Sequence, residues 1–133
     1  MVLVVAALLL YEDKILISRR NDEEGLWEFP GGKVEPCESP EAALKREMTE
    51  ELGLEVAVGS LYYEVEYQYP QKDVRVLFYF CSADSCQVPH AKEGVAEWRI
   101  VEIYELEQFP FLAADNALIQ HILQDRNFAG AAK

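Results

Sequence analysis

Glu47, Glu50 and Glu51 are the residues whose type and spacing are best suited to chemistry. They fall at i, i+3 and i+4, so on a helix they share one face. Carboxylates that close repel one another unless a cation sits among them. The plainer reading is a solvated acidic face, and two features count against it. Glu50 and Glu51 would lie in the last turn, where the helix dipole disfavours negative charge by roughly 0.3–1 kcal/mol each. The three also flank the apolar stripe Leu44, Met48 and Leu52 rather than opposing it. A sequence serving stability alone would place Lys or Arg there. An all-oxygen donor set points to Mg2+ or Mn2+ rather than zinc, and so to chemistry on an anionic substrate.

Other residues gather around this face. Glu38 precedes the helix and can approach the same cluster. Arg46 neighbours Glu47 and can pair with Glu38 or a helix carboxylate, holding the acids in place. Pro30-Gly31-Gly32 reads as a loop needing unusual backbone freedom; its glycines make a turn or let the backbone approach a metal or phosphate closely. Neither histidine, His90 nor His121, is well placed for proton transfer, and His121 falls on the last predicted helix as a structural or exposed residue.

Helices and strands must hold these groups. Val2–Leu10 predicts a buried strand, paired as a hairpin with Ile15–Ser18 across a charged turn. Asn21–Gly25 reads as a polar loop. Ser39 suits an N-cap, Pro40 the first helical position and Gly53 a C-terminal cap, which delimits the acidic helix. Strands are expected over Leu54–Val58, Tyr62–Tyr67, Val74–Cys81 and Ala96–Val101, with a turn at 69–73. A second amphipathic helix carries Leu118, Ile119, Ile122 and Leu123, starting near Asp115 or Asn116. The fold class expected is α/β, a mixed sheet with helices on its faces, in one domain over residues 1–133.

Bulk properties restrict the partners. The net charge of −12, from 24 acids and 12 bases, opposes binding to nucleic-acid polymers or anionic membranes. A small anionic substrate remains compatible with a metal and a few local bases. Cys37, Cys81 and Cys86 fit no zinc spacing and read as reduced thiols of a cytoplasmic protein. Val2–Leu10 is short for a membrane span and lacks the basic start of a signal peptide. Monomer and homodimer are both open.

At fixed spacing, Gly32, Glu38, Arg46-Glu47-Met48, Glu50-Glu51 and Gly53-Leu54 resemble the Nudix box. Met48 stands where the family usually has a branched aliphatic, and Cys37 where many relatives carry Gly. Trp27-Glu-Phe-Pro-Gly-Gly-Lys33, Ala91-Lys-Glu-Gly94 with Glu97-Trp98, and Phe109-Pro110 with Ala114-Asp115 look like landmarks of the MutT-type branch. The resemblance spans nearly the whole chain. It implies a Nudix α/β/α sandwich that hydrolyses nucleoside triphosphates to monophosphate and pyrophosphate with a divalent metal.

The same resemblance implies roles. Glu47, Glu50 and Glu51 hold metal with help from the Gly31 carbonyl. Glu93 contacts metal or assists as base, or is an exposed loop charge. Glu50, Glu51 and Glu93 all stand as general bases, with Arg46 beside them. Charge alone, not the resemblance, makes Arg20 and Lys33 candidates to meet the phosphates, since an anionic substrate needs a base nearby; otherwise they are surface charges. Asp115 reads the base, caps a helix, or both. Phe29, Tyr69 and Lys72 line the base pocket or are core. Val95 follows Glu93-Gly94 where relatives often have Gln, and Asp115 replaces an Asn of the oxidised-guanine enzymes, so 8-oxo-dGTP and CTP or dCTP are both open. Two other readings stand beside this one: a Nudix hydrolase of dinucleotides or nucleotide sugars, and a nucleotide-sensing module without turnover.

Overall fold

The computed structural model describes residues 1–92 and 94–128. Strands β1 (Val2–Tyr11), β2 (Lys14–Arg20), β3 (Trp27–Glu28) and β4 (Gly31–Lys33) precede helix α1 (Pro40–Leu52). Strands β5 (Val56–Tyr69), β6 (Lys72–Ala83) and β7 (Val95–Glu102) follow, then a 3-10 turn (Ile103–Gln108) and helix α2 (Ala113–Gln124).

The sheet is mixed, in the order β3-β2-β1-β6-β5, with β7 on β2 and β4 on β1. β1 runs parallel to β6 from Val2 to Leu9, and β5 and β6 form a long antiparallel hairpin. The other edge of β1 is divided. Its start pairs with β4, at Val4↔Lys33 through Ala6↔Gly31, and its end pairs with β2 at Leu10↔Ile15. That division opens the sheet between β1 and β2 and leaves β3 and β4 to line the opening.

Why β1 reads as one continuous apolar run is clear from its two faces. Val5, Ala7 and Leu9 pack with Leu44, Met48 and Leu52 of α1. Ala6 and Leu8 face the opposite way and pack with Leu118, Ile119 and Ile122 of α2. Each helix therefore covers one face, as an α/β/α sandwich requires. Ser39 caps α1 by accepting from the Ala42 N–H at 3.1 Å, and Gly53 ends it in the left-handed region at φ 65°. Cys37, at φ 66°, also occupies that region although it carries a side chain.

Several expected boundaries differ. The strands expected over 54–58 and 62–67 are one strand, β5, because Gly59 and Ser60 are absorbed by register shifts against β6 rather than breaking it. The turn expected over 69–73 shrinks to Pro70-Gln71. Short strands β3 and β4 and the 3-10 turn carry no periodicity long enough to read from sequence. Asp115 does not cap α2: Leu112 holds the cap position, and Asp115 sits inside the first turn. No described helix is long and apolar enough to cross a membrane.

Candidate active site

A cleft of about 1000 Å3 runs from the C-terminal half of α1 to the first turn of α2. One end is acidic, lined by Glu24, Glu28, Glu47, Glu50 and Glu51. The other is largely apolar, lined by Phe29, Tyr69, Val74, Val76 and Ala114, with Asp115 among them. Gly31 and Gly32 border the cleft between these ends.

Arg46 organises the acidic end. Its guanidinium donates to Glu38 through Nε at 2.8 Å and Nη2 at 3.0 Å, and to the Lys33 carbonyl at 3.0 Å. Nη1 reaches Glu47 at 2.9 Å and Glu50 at 3.2 Å. One side chain thus ties the loop before α1 to two carboxylates of the helix. Glu47 is held close, with its side chain 16% exposed, whereas that of Glu50 is 58% exposed.

The glycines work by close approach, not by unusual dihedrals. Neither Gly31 nor Gly32 is among the positive-φ glycines, which corrects the expectation of a freely turning loop. A Cβ on Gly31 would collide with the Val5 carbonyl across the β1–β4 ladder. A Cβ on Gly32 would fall 2.6 Å from Glu47 Oε1, so bare backbone abuts that carboxylate.

Burial and mutual repulsion shape the protonation of this end. Burial, hydrogen bonding to Glu47 and the charges of Glu28, Glu47 and Glu50 push the Glu51 carboxyl well up. Glu28 is pushed up to about 7, chiefly by burial, against the lowering effect of Arg20. Directly across the ladder from Glu28, Ser18 buries a hydroxyl with no partner among the described residues.

These observations test whether the site suits a metal. Its donors are carboxylate and carbonyl oxygens, the chemistry a hard divalent cation takes. Two of the acids are disfavoured as anions without a counter-charge, and a glycine keeps the approach to Glu47 clear. As they stand, no three His, Cys, Asp or Glu side chains among the described residues could hold an ion. Arg46 Nη1 engages Glu47 and Glu50 together. The donor set fits a hard cation by its chemistry, all oxygen and mutually repelling.

The C-terminal end of α1 is anchored from outside. The N–H groups of His90 and Lys92 donate to the Leu52 and Glu51 carbonyls at 2.9 and 3.0 Å. Those contacts satisfy carbonyls that the helix leaves unpaired, just below the acidic cluster. Glu93 lies outside the described residues, and neighbouring Gly94 lines the cleft.

At the apolar end Asp115 is buried, and the Phe29 N–H donates to its Oδ2 at 3.2 Å. Burial raises its carboxyl well above the ordinary range, and Glu28 adds to that. Arg20 lines the cleft beside Asp22, 3.4 Å away. Lys33 does not line it: the residue is exposed and contributes its backbone carbonyl to Arg46. Phe29, Tyr69 and Lys72 all border the cleft or its rim. His121 is exposed and stacks on Tyr63 at 4.4 Å, away from the cleft.

Sequence reasoning missed Glu28. Trp27 and Phe29 are both buried in the α2-side core, so alternation turns Glu28 between them to the other face, but β3 spans only two residues and shows no period in the sequence.

Residues 1–122 match the NUDIX domain. The chain is 41% identical over 112 residues to the 8-oxo-dGTP diphosphatase of Buchnera aphidicola (subsp. Acyrthosiphon pisum), covering 84% of this chain and 88% of that one. It is 55% identical over 62 residues to the CTP pyrophosphohydrolase of Escherichia coli K12, a match over 44% of this chain and 46% of that protein. The solution structure of the E. coli ORF135 protein superposes with a TM-score of 0.81 at 31% identity, covering 95% and 93% of the two chains.

Proposed function

The chain belongs to the NUDIX family, and on that premise we propose that it hydrolyses nucleoside or deoxynucleoside triphosphates to a monophosphate and pyrophosphate. The observation that carries this reading is the two-ended cleft, with Glu47, Glu50 and Glu51 at one end and Asp115 on an apolar wall at the other. A triphosphate needs a counter-charged end, and a nucleobase needs flat apolar walls with one polar reader. Relatives named for 8-oxo-dGTP and for CTP support substrates of those types.

Nudix enzymes generally need a divalent metal, and Mg2+ or Mn2+ suits these oxygen donors. When bound, such an ion neutralises phosphate charge and activates water. Glu47, Glu50 and Glu51 would hold it with the Gly31 carbonyl. Arg46 orients Glu47 and keeps Glu38 against the helix. Glu50 or Glu51, ionised once a cation offsets their mutual repulsion, would take the proton of the attacking water. Arg20 meets the phosphates, and Asp115 reads the base. Three free cysteines accord with a cytoplasmic setting.

The test is a panel of nucleoside triphosphates, oxidised and methylated bases included, with dinucleotides and nucleotide sugars alongside. Products are resolved with Mg2+ or Mn2+ present. Monophosphate and pyrophosphate from a triphosphate are expected, and Glu50→Gln is expected to abolish them while preserving the fold. Turnover confined to dinucleotides or sugars, or an unchanged rate in Glu50→Gln, would sink the assignment.

A further inference from the structure

The apolar end of the cleft is closed by a contact between its two walls. One wall is the tip of the β5–β6 hairpin, Tyr69 to Lys72; the other is the start of α2. Helix α2 begins without a side-chain cap, because Leu112 occupies the cap position and offers no oxygen. A first-turn donor is satisfied from across the cleft instead. The Ala114 N–H donates to the phenol oxygen of Tyr69 at 3.2 Å. Tyr67 packs on the Tyr69 ring with centroids 4.7 Å apart, which holds the phenol in that position. Asp115 is the next residue of the helix, and the Phe29 N–H pins its carboxyl.

We propose that Tyr69 determines specificity for the nucleoside part of the substrate, through a hydroxyl that latches the hairpin tip to the first turn of α2 beside Asp115. This rests on the nucleotide reading above. The latch fixes the gap between Tyr69 and Asp115, so a base enters a slot already formed and does not spend affinity on ordering the hairpin. The bond uses the phenol oxygen as acceptor, which leaves the O–H proton available to a ligand. Its geometry also separates two roles. A helix cap can be supplied by any oxygen at residue 112, whereas the tie to the hairpin can come only from β5.

The test is calorimetric titration with GMP, CMP and pyrophosphate, each with Mg2+, on the wild-type chain and Tyr69→Phe. Both monophosphates should bind roughly three- to tenfold more weakly to Tyr69→Phe, the size of one lost hydrogen bond. Pyrophosphate affinity should not move, and the difference between GMP and CMP should narrow. Leu112→Ser then supplies a cap oxygen. In that background Tyr69→Phe should no longer lower Tm, yet should still weaken monophosphate binding. Unchanged monophosphate affinity in Tyr69→Phe, or recovery of affinity together with Tm in the double variant, would reduce Tyr69 to a helix cap. A wild type that binds neither monophosphate would also overturn the proposal. Wild-type turnover judges the hydrolase reading separately, since monophosphate binding without turnover leaves the latch standing.

Discussion

Arg46 grips Glu38 side-on, with Nε on Oε2 at 2.8 Å and Nη2 on Oε1 at 3.0 Å. The same guanidinium then reaches the helix carboxylates through Nη1. A planar fork can serve both partners at once, and a point charge on a flexible stem cannot. Arg46→Lys should therefore keep the positive charge and lose the alignment of Glu47. Losses of roughly 10–100-fold in kcat/KM or in metal affinity are expected, as for other groups that orient ligands. A Mg2+ titration of activity, with circular dichroism to confirm the fold, checks it. Wild-type behaviour in Arg46→Lys would show that its charge alone matters.

Gly31 and Gly32 should respond differently to the same substitution. A Cβ at Gly31 meets the Val5 backbone carbonyl, which the β1–β6 ladder holds in place. Gly31→Ala should therefore break the β1–β4 pairing and lower Tm sharply. At Gly32 the obstacle is the Glu47 carboxylate, the far end of a flexible side chain. Gly32→Ala should fold with a small change in Tm and lose turnover, because Glu47 must swing away. Equal destabilisation in the two variants would contradict this account.

The acidic helix was legible from sequence because its parts are local. Ser39, Pro40 and Gly53 mark its ends, and a four-residue step fixes which side chains share its face. Long-range contacts were not legible. Asp115 looked like a cap because Asp favours that position. Its carboxyl instead accepts from Phe29, 86 residues away in the chain. Glu28 went unassigned because β3 has only two residues, too few to show a period, and its neighbours Glu47 and Glu51 come from a distant segment. The glycines were recognised as special, but the reason lay in strand pairing that one sequence does not display.

The carboxyl of Glu28 makes metal-free stability depend on pH. Its folded value, raised from the ordinary 4.5 to about 7, means that the folded state binds the proton more tightly than the unfolded chain. Stability is fully present below pH 4.5 and is lost as pH rises to about 7 and just beyond, a loss of roughly 3 kcal/mol. Glu51, raised in the same direction, extends the loss toward higher pH. Glu28→Gln should make the Tm profile of chelator-treated protein less steep between pH 5 and 8, with Glu51 and Asp115 carrying the slope that remains, as ~1-unit steps of pH would reveal. Mg2+ should raise Tm more at pH 8 than at pH 5, because it competes with protons for the acids. A wild-type profile already flat without metal would show that Glu28 ionises freely in the fold.

Asp115→Asn separates the structural from the recognition role of that residue. The amide oxygen can still accept from the Phe29 N–H, so the buried bond at 3.2 Å survives and the fold should hold. What changes is the group turned to the cleft. A buried carboxyl held neutral offers an O–H donor or a carbonyl acceptor, whereas the amide offers NH2. A site built on hydrogen bonds rejects a mismatched partner strongly, because its own polar group is then left unpaired. The order of kcat/KM across cytosine, guanine and 8-oxoguanine triphosphates should therefore change by tenfold or more, while Tm stays within ~2 °C, roughly the effect of a few tenths of a kcal/mol. A uniform loss across all bases would assign Asp115 to holding Phe29 and α2 in place. An unchanged order of bases would remove it from recognition altogether.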